Sequence, residues 1–120
     1  MHDRNELYID GTWVEPFGDG SITVINPATE ELVGAVPVGS IEDVNSAVLA
    51  AKKAFPKWSN TSVEERVEIL NQLSGAIKER GEELASLITS EVGTPIDYSR
   101  MAMVGTPRVV ARSYAKILQD

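Results

Sequence analysis

Cysteine is absent from this 120-residue sequence, and histidine occurs once, as His2. Without cysteine there is no disulfide framework, no thiolate metal site and no sulfur nucleophile within these residues. A lone histidine at an end expected to fray leaves no Ser-His-Asp constellation and no His-rich metal centre. Phosphate-cradling signatures are missing too. Neither G-x-G-x-x-G nor G-x-x-x-x-G-K-[ST] occurs, and the nine glycines are spread over turns and helix ends. No run approaches the ~20 apolar residues of a membrane span, and the opening MHDRNELYIDG is charged where a secretory leader is apolar. A cytoplasmic protein is therefore expected. Positive charge is scarce: eleven Lys and Arg against eighteen Asp and Glu give a net charge of −7, which argues against nucleic acid or anionic membrane as a partner.

What is present fits a globular chain, with 42% hydrophobic and 24% charged residues. The pattern over residues 1–39 is that of strands and turns. Leu7-Tyr8-Ile9 and Thr12-Trp13-Val14 flank Asp10-Gly11, a dipeptide suited to the positive φ angles of a two-residue hairpin turn. Ser21 to Ile25 reads as a further strand, ended by Asn26-Pro27 because proline offers no N–H to a ladder. Leu32 to Val38 resumes the strand pattern, and Pro37 marks an edge or a strand end. The stretch VINPATEE thus joins two strands through a bend in which Asn26 and Thr29 are placed to bond the exposed backbone. Its adjacent acids, Glu30 and Glu31, point to opposite sides of an extended chain and cannot converge on a substrate.

Residues 40–120 read as helical. Ser40-Ile41-Glu42-Asp43 has the form of an N-cap with acids in the first turn, where the helix dipole favours them. Ile41, Val44, Val48, Ala51, Phe55 and Trp58 follow at steps of three and four, and Pro56 is expected to close this helix. Ser62 with Glu65 predicts a capping box for a second, long helix. Its stripe runs through Val63, Val67, Leu70, Leu73 and Ile77 and on through Leu84, Leu87, Ile88 and Val92, with a bend expected at Gly81. Gly93-Thr94-Pro95 should stop it. A third tract, roughly 97–118, is interrupted by Gly105 and Pro107. The glutamates opposite the long stripe read as a solvated face. Trp13 and Trp58 read as core or staple residues, since no basic residues interleave with a wider aromatic surface. Paired acids such as Glu42/Asp43 and Glu82/Glu83 read as adjacent and exposed, a poor arrangement for acid–base work, which needs burial or close pairing to shift a pKa. Local chemistry alone gives a non-catalytic α/β piece.

The order of the segments carries more information than any one of them. YIDGTWVEP, then VINPATEELVGAVPVGSIEDVNSAVLAAKKAFPKW, then ERVEILNQLSGAIKERGEELASLITSEVGTP together resemble the amino-terminal segment of the NAD(P)-dependent aldehyde dehydrogenase superfamily. The match is close from Leu7 to Pro95 and weaker over the last helix. It implies an α/β fold: antiparallel strands and hairpins followed by three amphipathic helices. Residues 1–120 would then form one partial domain, the outer and incomplete part of a Rossmann-like cofactor domain.

In that family a cysteine thiolate attacks the aldehyde, and an asparagine with a backbone N–H holds the oxyanion. Hydride passes to the nicotinamide of NAD or NADP, and a glutamate activates water. The resemblance places all of these residues, with those that hold the cofactor, beyond this sequence. No catalytic or cofactor-binding residue is therefore assigned, and Asn26 is not the oxyanion asparagine. Some members hold a structural monovalent cation on backbone carbonyls just before Asn-Pro, which implies Val24 and Ile25 here. The acid that helps them has no counterpart, because MAMVG around Met103 occupies its place.

The implied role is that of a scaffold, inactive alone and without a cofactor of its own. Its partner would be the remainder of the dehydrogenase fold, in an enzyme expected to be a homo-oligomer. Lys116 to Asp120 stops in mid-helix, so a continuation is expected. A stand-alone helical interaction module and a non-functional remnant are the alternatives.

Overall fold

The computed structural model describes residues 2–119, which pack as two compact units, residues 1–60 and 61–120. Sequence reading treated 1–120 as one partial domain divided at residue 39. The change from strands to helices falls where it was read, between Pro37 and Ile41, and the first compact unit extends through the first helix.

The first unit holds five strands: β1 (His2–Asp3), β2 (Leu7–Ile9), β3 (Thr12–Val14), β4 (Ser21–Ile25) and β5 (Leu32–Pro37), followed by α1 (Ile41–Ser59). β2 and β3 form an antiparallel hairpin in the register Ile9↔Thr12. Its turn is made by Asp10 at φ 52° and Gly11 at φ 82°, the left-handed pair that a two-residue turn requires. The other strands make a sheet in the order β1-β5-β4. β4 and β5 are antiparallel, whereas β1 runs parallel to β5 with His2 opposite Gly34. The amino-terminal end read as frayed is therefore annealed to the central strand. Pro37 closes β5 opposite Ser21, where its missing N–H interrupts no further rung.

Helix α1 begins at Ser40, whose hydroxyl accepts from the Asp43 N–H at 3.2 Å while the Asp43 carboxylate accepts from the Ser40 N–H at 2.8 Å. Pro56 does not close it. The helix runs three residues further, to Ser59. The missing Pro56 N–H costs only the bond to the Lys52 carbonyl, and the helix end is capped separately: Asn60 Nδ2 and Ser59 Oγ donate to the Pro56 carbonyl at 2.7 and 3.1 Å.

In the second unit α2 spans Val63–Glu79 and α3 spans Gly81–Val92. The expected capping box is present, with Glu65 N–H to Ser62 Oγ at 3.1 Å and Ser62 N–H to Glu65 Oε2 at 3.0 Å. One long helix with a bend at Gly81 was expected; two helices break at Arg80 (φ −96°, ψ 15°), and Gly81 already belongs to α3. Gly93 ends α3 in the left-handed conformation, φ 75°, its N–H returning to the Thr89 carbonyl at 2.9 Å. The last tract is continuous: α4 (Ile96–Tyr98), a π-helical segment (Ser99–Val104) and α5 (Gly105–Ile117). Three amphipathic helices were expected, and the breaks raise that number. The wide turns lie just before Pro107, whose ring excludes the Met103 carbonyl from an α-type bond.

Little of this is buried. The apolar core among the described residues is Val67, Ala85, Val104, Ala111 and Ala115, all in the second unit. Trp13 is 51% and Trp58 46% exposed, so of the core-or-staple role expected for them the core half does not hold. Trp13 lies against Tyr8, with centroids 5.1 Å apart, and beneath the Arg4 guanidinium at 5.2 Å. The 13.0 kDa chain exposes 8917 Å². Two separately compact bodies of half its mass would expose about 7,600 Å² between them. Among the described residues no helix is long and apolar enough to cross a membrane.

Candidate functional site

The bend between β4 and β5 is the one place where sequence reading put ligand atoms, and its geometry is that of a self-satisfied turn. Asn26 Oδ1 accepts from the N–H groups of Ala28 and Thr29 at 2.9 and 3.4 Å, and Thr29 Oγ1 accepts from Glu31 N–H at 3.4 Å. The Asn26 N–H donates to the Glu31 carbonyl at 2.9 Å, and Glu30 N–H to the Asn26 carbonyl at 2.8 Å. Glu30 sits at φ 61°, which turns the chain into β5. Asn26 and Thr29 therefore do what their sequence position implied, and both act on backbone.

Val24 and Ile25 flank a register shift: Val24 pairs with Gly34 but Ile25 with Leu32, so Val33 is an extra residue on β5. Such a shift disrupts the ladder locally. Two neutral carbonyls remain far short of the oxygen shell that a hard cation takes. No cluster of three His, Asp or Glu side chains occurs among the described residues. Met103, at the place of the helping acid, lies in the π-helical segment of the other unit. The residues present do not by themselves fit a cation.

Asp43 was expected to be exposed, but it is 3% exposed, a buried carboxylate drawn inward by the backbone donors it caps. Besides the Ser40 N–H it accepts from Ser40 Oγ at 2.8 Å and from the Phe17 N–H at 3.2 and 3.3 Å. The Ser40 backbone donor, aided by the Ser40 hydroxyl and the Phe17 N–H, holds its pKa below the usual range against the opposing effect of burial. Sequence spacing shows the bond to Ser40. The bond to Phe17, 26 residues away, has no local signature. With every acceptor engaged by backbone or cap, Asp43 is a clamp tying the Phe17 loop to α1, not a base.

The remaining concave surface is shallow. A cleft of about 570 Å³ is lined by Arg4, Glu6, Trp13, Glu15 and Asp19 among others. It contains no nucleophile beside a base and no glycine-rich cradle for a dinucleotide. The described residues around it bring no nucleophile, base and oxyanion donor together.

A sequence model of the aldehyde dehydrogenase family matches residues 13–120. Among curated proteins, a 3-succinoylsemialdehyde-pyridine dehydrogenase from a Pseudomonas species is 47% identical over 96 residues, covering 80% of this chain and 20% of that protein. Among solved structures, an aldehyde dehydrogenase from Bartonella henselae superposes with a TM-score of 0.95 at 33% identity, over 99% of this chain and 25% of that one. A variant of aldehyde dehydrogenase C from Pseudomonas syringae, solved with NAD+ and octanal, gives 0.94 at 41% identity, over 97% of this chain and 24% of that one. The chain thus spans about a fifth of the length of the curated relatives it matches.

Proposed function

The chain belongs to the aldehyde dehydrogenase family, and from that premise we propose that it is the amino-terminal, non-catalytic part of an NAD- or NADP-dependent aldehyde dehydrogenase. In the whole enzyme an aldehyde would be oxidised to a carboxylic acid by residues that lie outside these 120. Both units described above would be pieces of the outer part of one cofactor-binding domain, in a cytoplasmic homo-oligomer.

One observation carries this reading. The chain has an intact family backbone but not the apolar contacts to cover its own helices. Even against two separately compact bodies, about 1,300 Å² of surface is in excess. That exceeds the ~800 Å² per partner of an ordinary stable interface. The role of these residues is then to supply the flanking strands and helices against which a cofactor sheet packs. They contribute no group to the reacting atoms.

The test is an assay of the purified 120-residue chain with NAD+ or NADP+ and octanal, followed by the absorbance of the reduced nicotinamide. No turnover above buffer is expected; robust oxidation of the aldehyde by the chain alone would overturn the reading. A second reading, a stand-alone interaction module, draws on the exposed stripe of α1. A chain that sediments as a monodisperse monomer and leaves a hydrophobic dye dark would remove that basis.

For Val24 and Ile25 the proposal is limited to two carbonyl ligands of a monovalent cation completed by residues from outside this chain. Their contribution predicts no difference in thermal midpoint for the isolated chain between potassium, sodium and choline chlorides. A potassium-specific rise would show a complete site.

A further inference from the structure

Four of the five arginines of the second unit fall into two groups; the fifth, Arg66, donates to Thr61 Oγ1 at 2.9 Å. Arg80 and Arg100 sit on carboxylates: Arg80 on Glu83 at 2.6 Å, and Arg100 on Glu82 and Asp97 at 2.8 and 3.0 Å. Arg108 and Arg112 have no carboxylate partner among the described residues, although the chain carries eighteen acids. Both line one groove between α2 and α5, about 200 Å³ in volume, together with Lys78, Asn71, Ser74 and Gly75. No acid lines it.

The spacing explains the convergence. Asn71, Ser74, Gly75 and Lys78 are at i, i+3, i+4 and i+7 on α2, and Arg108 and Arg112 are at i and i+4 on α5, so each set shares one helix face. The helices are held together beneath them. Ser74 Oγ donates to the Arg108 carbonyl at 3.2 Å, and Val67, Ala111 and Ala115 are buried. The cations therefore stand on a fixed base.

Gly75 is the second observation. It lies in the interior of α2, has no positive φ, and a Cβ built on it would meet nothing within 4 Å. Neither turn geometry nor close approach accounts for a glycine there, and in a helix interior it costs about 1 kcal/mol relative to alanine. It lines the groove alongside the cations without adding a side chain to it, and a Cβ there would stand in open space.

We propose that this groove, formed by Lys78, Arg108 and Arg112 over Gly75, is a binding site for a phosphoryl group, either free phosphate or a phosphomonoester. Three cationic donors match the charge and multiple acceptor oxygens of a phosphate dianion, and guanidinium forks suit its geometry. The small volume and the chain's net charge of −7 exclude a polyanion such as nucleic acid.

The test is a titration of the ¹⁵N-labelled 120-residue chain with inorganic phosphate at low ionic strength, with chloride at matched ionic strength as control. Shifts are read at residues 71–78 and 108–112, and far-UV circular dichroism melts are recorded in parallel. Gly75→Asp is the decisive variant. It fills the groove with a carboxylate while replacing a poor helix former, so loss of folding is not its expected effect. Saturable shifts confined to the groove, a phosphate-dependent rise in midpoint, and loss of both in Gly75→Asp are expected. Lys78→Gln and Arg112→Gln should each weaken binding about tenfold. Tighter binding of phenyl phosphate than of inorganic phosphate would identify an esterified ligand, and the reverse the free ion. Shifts spread over Lys57 and Lys116, a chloride effect equal to that of phosphate, no change in either readout, or binding that survives Gly75→Asp would overturn the site.

Discussion

Helices α1 and α2 look alike as sequence and differ as structure. Each opens with a serine and an acid three residues on, and each carries an apolar stripe at helical spacing. α2 packs against α5 through Val67 and Ser74, both buried, opposite Ala111 and Ala115. In α1 the buried residue is Asp43, and Ile41, Val44, Val48, Phe55 and Trp58 are all exposed, Ile41 by 76%. Periodicity reports that a helix has an apolar face. It does not report whether the covering surface lies in the same chain.

The sharpest test of that contrast is amide exchange of the isolated chain. Most helical stability in a protein comes from packing of the apolar face, and the apolar face of the 19-residue α1 is exposed. The interior amides of α1 should therefore exchange at least about a hundredfold faster than those of α2 and α5 around Ser74 and Ala111. Equal protection would break the comparison. Next in size is a pair of substitutions read by urea unfolding. Ala111→Asp buries an unpaired charge and should lose about 3 kcal/mol. Val48→Asp, on the uncovered face, should change stability by no more than ~0.5 kcal/mol.

Acid titration separates the units by a smaller effect. Asp43 titrates below its ordinary value when folded, so its contribution is complete above the unfolded pKa of about 3.9 and is lost as pH falls through the lower folded value. Asp43→Asn should remove that acid-dependent loss from the first unit and leave the α2–α5 melt unchanged, as followed by amide shifts against pH. The smallest change is expected from Arg80→Ala. Its ion pair with Glu83 is exposed on both sides, so the thermal midpoint should stay within error.

Legibility followed the same line. The Asp10-Gly11 turn, the Asn26 bend, the caps at Ser40 and Ser62 and the stop at Gly93 are local devices, in which a side chain or a φ preference acts within a few residues. All were readable. The parallel pairing of His2 with Gly34 and the bond from Phe17 to Asp43 join distant segments, and no local pattern encodes them. Trp13 and Trp58 misled for another reason, since residue type predicts burial only where a neighbour is supplied. The π-helical segment was half legible: Gly105 and Pro107 announced a disturbance, but the chain widened its turns instead of breaking. At the β4–β5 bend the sequence indicated a turn and the family likeness a cation, and the hydrogen bonds account for the turn alone.

The junction at Arg80 acts as a gear with no slack. α2 and α3 meet through that residue alone, and each helical position advances the side chains by about 100° around the axis. Inserting or deleting a single amino acid there would rotate all of α3 and swing Ala85, fully buried, out of its contact. The length of the joint, one residue, is therefore as much a part of the packing as the side chains it sets in place.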